Sequence, residues 1–521
     1  MQLGLYLLLV TVCESLVLIG LILQPERGFV NWFTALGALL AVFAIFFAIK
    51  LFALYRGSYS KLFIIIGYPL LLSYCFFLLP TNVPDENAHI RRIFDLFPSG
   101  DVAYAPRQVN EALDEHWFTL YSIMYQHITE PANYEIWTAS TRYAGYSWFV
   151  YFVPYVIARI GMLLDANPWI SIYLARFFNM TVYLIACYWI LKHVPLGSAF
   201  LFVFMMNPIM LQQQASCSAD SLTNTSMLLF VAQLLMMRFK QARLLWADWI
   251  KLALALLLIA LCKLSNLPLA LLGLILLPRI QNVRIRRGVI VAVPLFAALS
   301  VFLVVSAGYA DALQDVAACF NRPLDFFVTL GITLLKATPI LAMQYFGGQL
   351  GWPELNERPG EYYVGGVWVV TALIMTISLL ACRYNQGTEK KMMSKQSDEE
   401  EGVASFFFKP YERLILFITG ILLFFISYIA LSHGLYHYDT GLGYISWMQG
   451  RHFLSTGLVL GFWIIASLYR KPKTNKDTPT LIGSDKGISI IRIASKPYLY
   501  STVSGLIALY TIIMIALDTA F

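Results

Sequence analysis

The stretch LPTNVPDENAHIRRIF (79–94) places two adjacent carboxylates, Asp85 and Glu86, next to His89 and two arginines, directly after a long apolar run. If a helix opens at Pro84, then Asp85, His89 and Arg92 share one face at i, i+4 and i+7. That grouping suits a carboxylate that takes a proton from a hydroxyl, with His89 and Arg92 binding an anion. It equally suits plain capping, with Pro in the first turn and acids at the positive end of the helix.

Three further clusters carry ionisable groups at the ends of apolar runs. Asp220 lies in NPIMLQQQASCSADSLTN (207–224), where it could contact a substrate or serve as a helix N-cap. Lys263 sits between two half-length apolar runs, a position that marks a functional site unless the side chain snorkels to the interface. Arg451 and His452, in QGRHF, open another run; the planar fork of Arg451 fits phosphate, or it is an interfacial anchor. Glu14, inside the first apolar run, is expected to pair with a neighbouring helix. The sequence holds no P-loop, GxSxG, HExxH or paired-cysteine motif. The seven cysteines, at 13, 75, 187, 217, 262, 319 and 382, are scattered without metal-type spacing.

The elements that position these groups are helices in lipid. Of the 521 residues, 59% are hydrophobic and only 13% charged, with a mean hydropathy of +0.67. Many runs approach the roughly 20 residues that cross a bilayer as helix, and no period-2 alternation points to a barrel. The chain reads as an all-α polytopic membrane protein. The N-terminus has no basic segment ahead of its apolar run and reads as a retained span. The net charge of +7 fits basic cytoplasmic loops and gives no case for nucleic acid.

Basic loops at 53–61, 237–243, 278–287, 383–395 and 469–480 mark the cytoplasmic side. Roughly thirteen spans then fall near 3–23, 34–55, 61–79, 170–191, 197–212, 221–237, 249–262, 264–278, 288–308, 366–384, 413–431, 453–470 and 498–520. Segments 80–169, 309–365 and 432–451 lie outside. The apolar stretches 143–163 and 325–346, the latter holding Lys336, are placed on the outer surface as interfacial or re-entrant helices. With this topology all four polar clusters face one compartment. The charge run at 389–404 reads as a solvated loop.

In their order along the chain, PTNVPDENAHIRRIF, NPIMLQQQASCSADSLTN, CKLSNLPLALLGLILLP, YFGGQLGW and GYISWMQGRHFL resemble a bacterial membrane family known only as a domain of unknown function. That family carries a PPDEPAHF-type segment after its first core span. The resemblance spans about residues 61–470. Asn87 stands where Pro is common and Ile90 where an aromatic is common. The family in turn resembles the GT-C glycosyltransferases, multi-span enzymes that use polyprenyl-phosphate-linked sugars on the non-cytoplasmic side. Carried over by motif, Asp85 matches the acidic catalytic position, with Glu86 beside it. Residues 1–60 resemble a two-helix addition ahead of a GT-C-like core (61–470), and 471–521 a cytoplasmic linker with a last span.

A sugar on a lipid phosphate needs a base for the acceptor hydroxyl and cations for the departing phosphate. The expectation is an inverting glycosyltransferase of the bacterial inner membrane. It would move a sugar from a polyprenyl-phosphate donor to a cell-surface glycan, O-antigen or wall polymer. Asp85 is expected as base, Glu86 as its catalytic neighbour, and His89, Arg92, Asp220, Lys263, Arg451 and His452 as substrate contacts. The scheme requires no cofactor and admits a divalent metal. The rival is a transporter or flippase for lipid-linked glycans, for which polar residues near midplane, Glu14 apart, are few.

Overall fold

Apolar side chains cover the outside of this molecule as well as its core. On the helix Trp32–Tyr55, Leu36, Leu39, Phe43, Phe46 and Ile49 are all exposed, a face that calls for lipid rather than water. A computed structural model describes residues 2–23, 31–97, 102–115, 126–140, 147–240, 244–284, 286–291, 293–295, 323–346, 349–350, 362–363, 367–393, 408–437, 449–468 and 496–520. Among them, seven helices are long and apolar enough to cross a bilayer: Gln2–Leu23, Trp32–Tyr55, Tyr59–Phe77, Pro168–His193, Asp220–Phe239, Pro410–Tyr428 and Gly450–Leu468. Shorter apolar helices, such as Trp148–Leu163 and Val367–Leu380, pack among them. The chain is a mostly helical, polytopic membrane protein.

Among the described residues, seven of the expected thirteen spans have that length. Residues 197–212 do not form one helix: they break into Ser198–Met205 and Pro208–Gln214, both deeply buried. Pro208 disfavours a helical conformation at Asn207, which is extended and caps the second helix through Oδ1 to the Ile209 N–H at 3.4 Å. The run 264–278 is a 3-10 segment, Leu264–Arg279, with Pro268 inside it. At about 2.0 Å rise per residue such a segment reaches nearly as far as a longer α-helix. Most of 288–308 lies outside the described residues, as do 309–322, 351–361, 438–448 and the run 394–404.

The first two helices pack together, and Asn31 opens the second with a capping box to Thr34. The hairpin is tied to Tyr59–Phe77 at two levels. Pro69 has no N–H to return to the Ile65 carbonyl, the helix widens into a π turn at Phe63–Gly67, and the Tyr6 hydroxyl donates to Ile65 O at 2.6 Å. Glu14 accepts from Ser73 Oγ at 3.1 Å, the interhelical partner expected of it.

The loop 80–169 is a folded cap. It holds helices Glu86–Arg92, Arg107–Glu115 and Phe152–Leu163, and also an antiparallel pair, Val102–Pro106 with Ile136–Ser140, in register from Val102 opposite Ser140 to Pro106 opposite Ile136. This small sheet is an addition to the helices expected there. Asn110 stitches it together, donating to the carbonyls of Ala105 (3.2 Å) and Trp137 (3.1 Å) while accepting from Arg91 Nε at 3.2 Å.

Candidate functional site

The turn that carries the two carboxylates is held in an unusual backbone conformation. Thr81 and Asp85 both have positive φ, +81° and +67°. Such residues cost roughly 1–3 kcal/mol each and persist only where their surroundings over-determine them. The helix starts at Glu86, not Pro84, and Asp85 is its N-cap residue without a capping side-chain bond. Its carboxylate is therefore directed elsewhere.

What holds the turn is Glu86. Its oxygens accept from Arg176 Nε (2.8 Å), Arg176 Nη2, the Cys217 N–H (2.9 Å) and the Thr81 N–H (3.1 Å), which fills the four acceptor positions of a carboxylate. Arg176, from the helix Pro168–His193, spends its other donors on the carbonyls of Cys75, Leu78 and Leu79 at the end of Tyr59–Phe77. Those are carbonyls that a helix end leaves without intrahelical partners. All five guanidinium N–H groups are engaged, and both side chains are fully buried. Glu86 is thus a clamp that fixes the turn. The catalytic place expected for Glu86 does not fit this geometry, since both its oxygens are buried and fully engaged.

Asp85, one residue earlier, faces a cluster of charges drawn from three distant segments. Arg451 Nη2 donates to Asp85 Oδ2, and Arg451 Nη1 donates to the Pro84 carbonyl at 2.7 Å and Gln213 Oε1 at 3.5 Å. Arg451 Nε stands 3.9 Å from Asp220 Oδ2, and Lys263 Nζ 3.4 Å from Asp220 Oδ1. The side chains of Asp85, Asp220 and Lys263 remain 18%, 13% and 26% exposed, whereas that of Arg451 is at 3%. The result is an alternating chain, Asp85–Arg451–Asp220–Lys263, reachable at its acidic end and at its Lys end. Asp220 begins its helix instead of capping it, because Ala219 holds the cap position. Lys263 is the extended residue joining Trp246–Cys262 to Leu264–Arg279; it pairs with Asp220 and does not snorkel away. Arg451 is no interfacial anchor.

Gly450 makes the approach of Arg451 possible. A Cβ there would lie 2.3 Å from the Tyr345 backbone nitrogen, and its own N–H donates to Gln344 Oε1 at 2.9 Å. The helix Pro323–Tyr345 is thereby pressed against the Arg451 turn, and the Tyr345 carbonyl accepts from Asn207 Nδ2 at 2.7 Å. His452 is beside the cluster, close enough to feel the charges of Arg451, Lys263, Asp220 and Asp85.

His89 and Arg92 have different surroundings from those expected. His89 Nδ1 shares a 2.6 Å hydrogen bond with the Tyr151 hydroxyl, and burial pushes its pKa down to about 4. The ring is neutral at pH 7 and brings no positive charge to an anion. Arg92 is buried, donates to the Asp95 carbonyl at 2.7 Å and lies over the Tyr151 ring at 4.9 Å. In that place it braces the loop as a cation–π partner and is not part of the four-membered chain. Sequence reasoning did not find Arg176, Tyr151, Gln213 or Gly450. Arg176 alone had a usable signal, an arginine within an apolar run.

The polar chain can hold an anion on Arg451 and Lys263 and offer a carboxylate to a hydroxyl. Among the described residues, no three His, Cys, Asp or Glu side chains gather as a metal-ligand set, and both Asp85 and Asp220 are engaged with cationic side chains. A family model described as "Predicted membrane protein (DUF2142)" matches residues 70–459, which takes in all four members of the chain and Arg176. No curated protein and no solved structure matches.

Proposed function

The chain belongs to the DUF2142 family of predicted membrane proteins, and we propose that it is an inverting, GT-C-type glycosyltransferase of the bacterial inner membrane. It would take a sugar from a polyprenyl-phosphate donor on the periplasmic side and pass it to a cell-surface glycan. The observation that carries this reading is the pairing of Asp85 with Arg451 in a chain that ends at Lys263. A partly exposed carboxylate and two cations stand together where the loop 80–169 meets the ends of the spans.

Before donor arrives, Asp85 and Asp220 keep Arg451 and Lys263 in place. A phosphate competes for the same donors, since charge-assisted bonds to phosphate are strong and Arg can meet it with two parallel N–H groups. Binding the donor thus loosens Asp85 from Arg451 and leaves its carboxylate for the acceptor. The acceptor oxygen attacks the anomeric carbon as its proton passes to Asp85. The bond from that carbon to the phosphate oxygen breaks, and the electron pair leaves with polyprenyl phosphate. Its charge meets Arg451 and Lys263. A single displacement inverts the anomeric centre.

The test is transfer of labelled sugar in vesicles containing the purified protein, a polyprenyl-phosphate sugar and glycan from cells lacking the protein. Asp85→Asn should lower transfer by about 10²–10⁴-fold in a protein that stays folded. Transfer within a few-fold of wild type would remove Asp85 as base. Movement of intact lipid-linked sugar across the vesicle, with no new glycosidic bond, would reassign the protein to transport.

A further inference from the structure

The helix Asp220–Phe239 has the charged chain at its start; its other end, roughly 28 Å away at 1.5 Å per residue, has a second polar assembly that the proposed reaction does not use. There Arg238 and Glu412 form a buried pair at 2.7 Å. Beside them a cavity of about 410 Å³ opens between three helices, lined by Trp189, His193, Met236, Lys240, Asp248 and Lys251, among others.

Two features define what this cavity would take. Lys240 Nζ is 2.7 Å from Asp248 Oδ2, so those charges cancel, and Lys251 adds a further positive charge to the lining. Trp189 and Met236 are among the apolar residues of the lining. Away from the cavity the apolar surface continues: Ile250, Leu254 and Leu257 share an exposed face of Trp246–Cys262 at i, i+4 and i+7, and Ile185 is exposed on Pro168–His193. A single negative charge fits the polar part, and hydrocarbon chains fit the stripe.

We propose that this cavity binds the phosphodiester headgroup of an anionic phospholipid from the bilayer, with its acyl chains along Ile250, Leu254 and Leu257. Basic pockets between membrane helices take acidic headgroups in this way. The proposal is independent of the transferase reading, because it concerns the opposite end of the bundle.

The experiment measures lipid retained by the full-length detergent-purified protein, by native mass spectrometry, after titration with phosphatidylglycerol, phosphatidylethanolamine or phosphatidylcholine. Phosphatidylglycerol should be retained preferentially. Lys251→Gln, an exposed change, should weaken that retention roughly fivefold, the equivalent of about 1 kcal/mol per basic residue. Lys50→Gln, which removes the same charge from an exposed position on Trp32–Tyr55, should leave it unchanged. Equal retention of all three lipids, or equal effects of the two substitutions, would overturn the proposal. So would full displacement of phosphatidylglycerol by soluble glycerol phosphate, which would assign the site to a free phosphate.

Discussion

Removing Arg176 should unlock the turn that presents Asp85. In Arg176→Ala, Glu86 keeps only the N–H groups of Thr81 and Cys217, and the carbonyls of Cys75, Leu78 and Leu79 lose their donor. Breaking a buried ion pair by deleting one partner costs about 3–5 kcal/mol. Relaxation of Thr81 and Asp85 from positive φ returns part of that, so a local loss of about 3 kcal/mol is expected. Arg176→Lys keeps the charge with three donors in place of five. It leaves two acceptors without one and costs about 2 kcal/mol at about 1 kcal/mol each. Cys217 reports the change directly, since its backbone is bonded to Glu86 and its thiol is buried. Alkylation of Cys217 in the native protein, followed by peptide mass spectrometry, measures local opening. A loss of 3 kcal/mol corresponds to labelling about a hundredfold faster. Cys262, at the end of another helix, should label at the wild-type rate. If Arg176→Ala labels Cys217 within fivefold of wild type, the clamp is not what holds the turn.

Other perturbations follow from the same geometry. Arg451→Lys keeps the charge but loses the fork that reaches Pro84, Gln213 and Asp85; donor-side kcat/KM should fall about 10–100-fold, for one charge-assisted bond of about 1.5–3 kcal/mol, and a silent substitution would return Arg451 to an anchoring role. Gly450→Ala must push back the Tyr345 backbone and should destabilise by about 1–3 kcal/mol in thermal unfolding, whereas Gly57→Ala, with open space around it, should be neutral. His89 has a folded pKa of about 4 against 6.5, so the unfolded chain takes up the proton first. Its contribution is intact above about pH 6.5 and is lost as pH falls towards 4, by up to about 3 kcal/mol. His89→Gln should flatten the acid limb of stability by that amount, and parallel acid limbs would contradict a buried neutral ring.

The sequence made the four-membered chain legible because each member is an ionisable residue at the end of an apolar run, where lipid tolerates charge only with a reason. It did not reveal which carboxylate of the Asp85–Glu86 pair faces outward. That depends on a left-handed residue at the helix start, which shifts the helix by two residues from a start at Pro84. Arg176, inside YLARFFNM, falls under the same rule for ionisable groups in spans, but nothing in its neighbourhood names Glu86 as its partner. The break at Asn207 was similarly available in the Asn-Pro dipeptide, but the apolar count on either side outweighed it. The strand pair of the cap was not legible, since two short strands far apart in sequence leave little periodicity. His89 reads as an anion-binding group in sequence because its burial against Tyr151, 62 residues away, is not written in the local segment.

The positive φ of Asp85 also bounds the sequence space open to this position. Left-handed backbone is readily adopted by Gly, and among other residues chiefly by Asn and Asp, whose short polar side chains tolerate it. Of these three, Asp alone has a side chain that accepts a proton at neutral pH. Lengthening to Glu keeps the carboxylate but moves to a residue that disfavours this backbone. Drift at position 85 is therefore confined to a very small alphabet, in which every step away from Asp keeps the turn and gives up the carboxylate. If Asp85 is the base proposed above, one neutral-looking step to Asn would end transfer in a protein that still folds, and its architecture would carry no trace of the change.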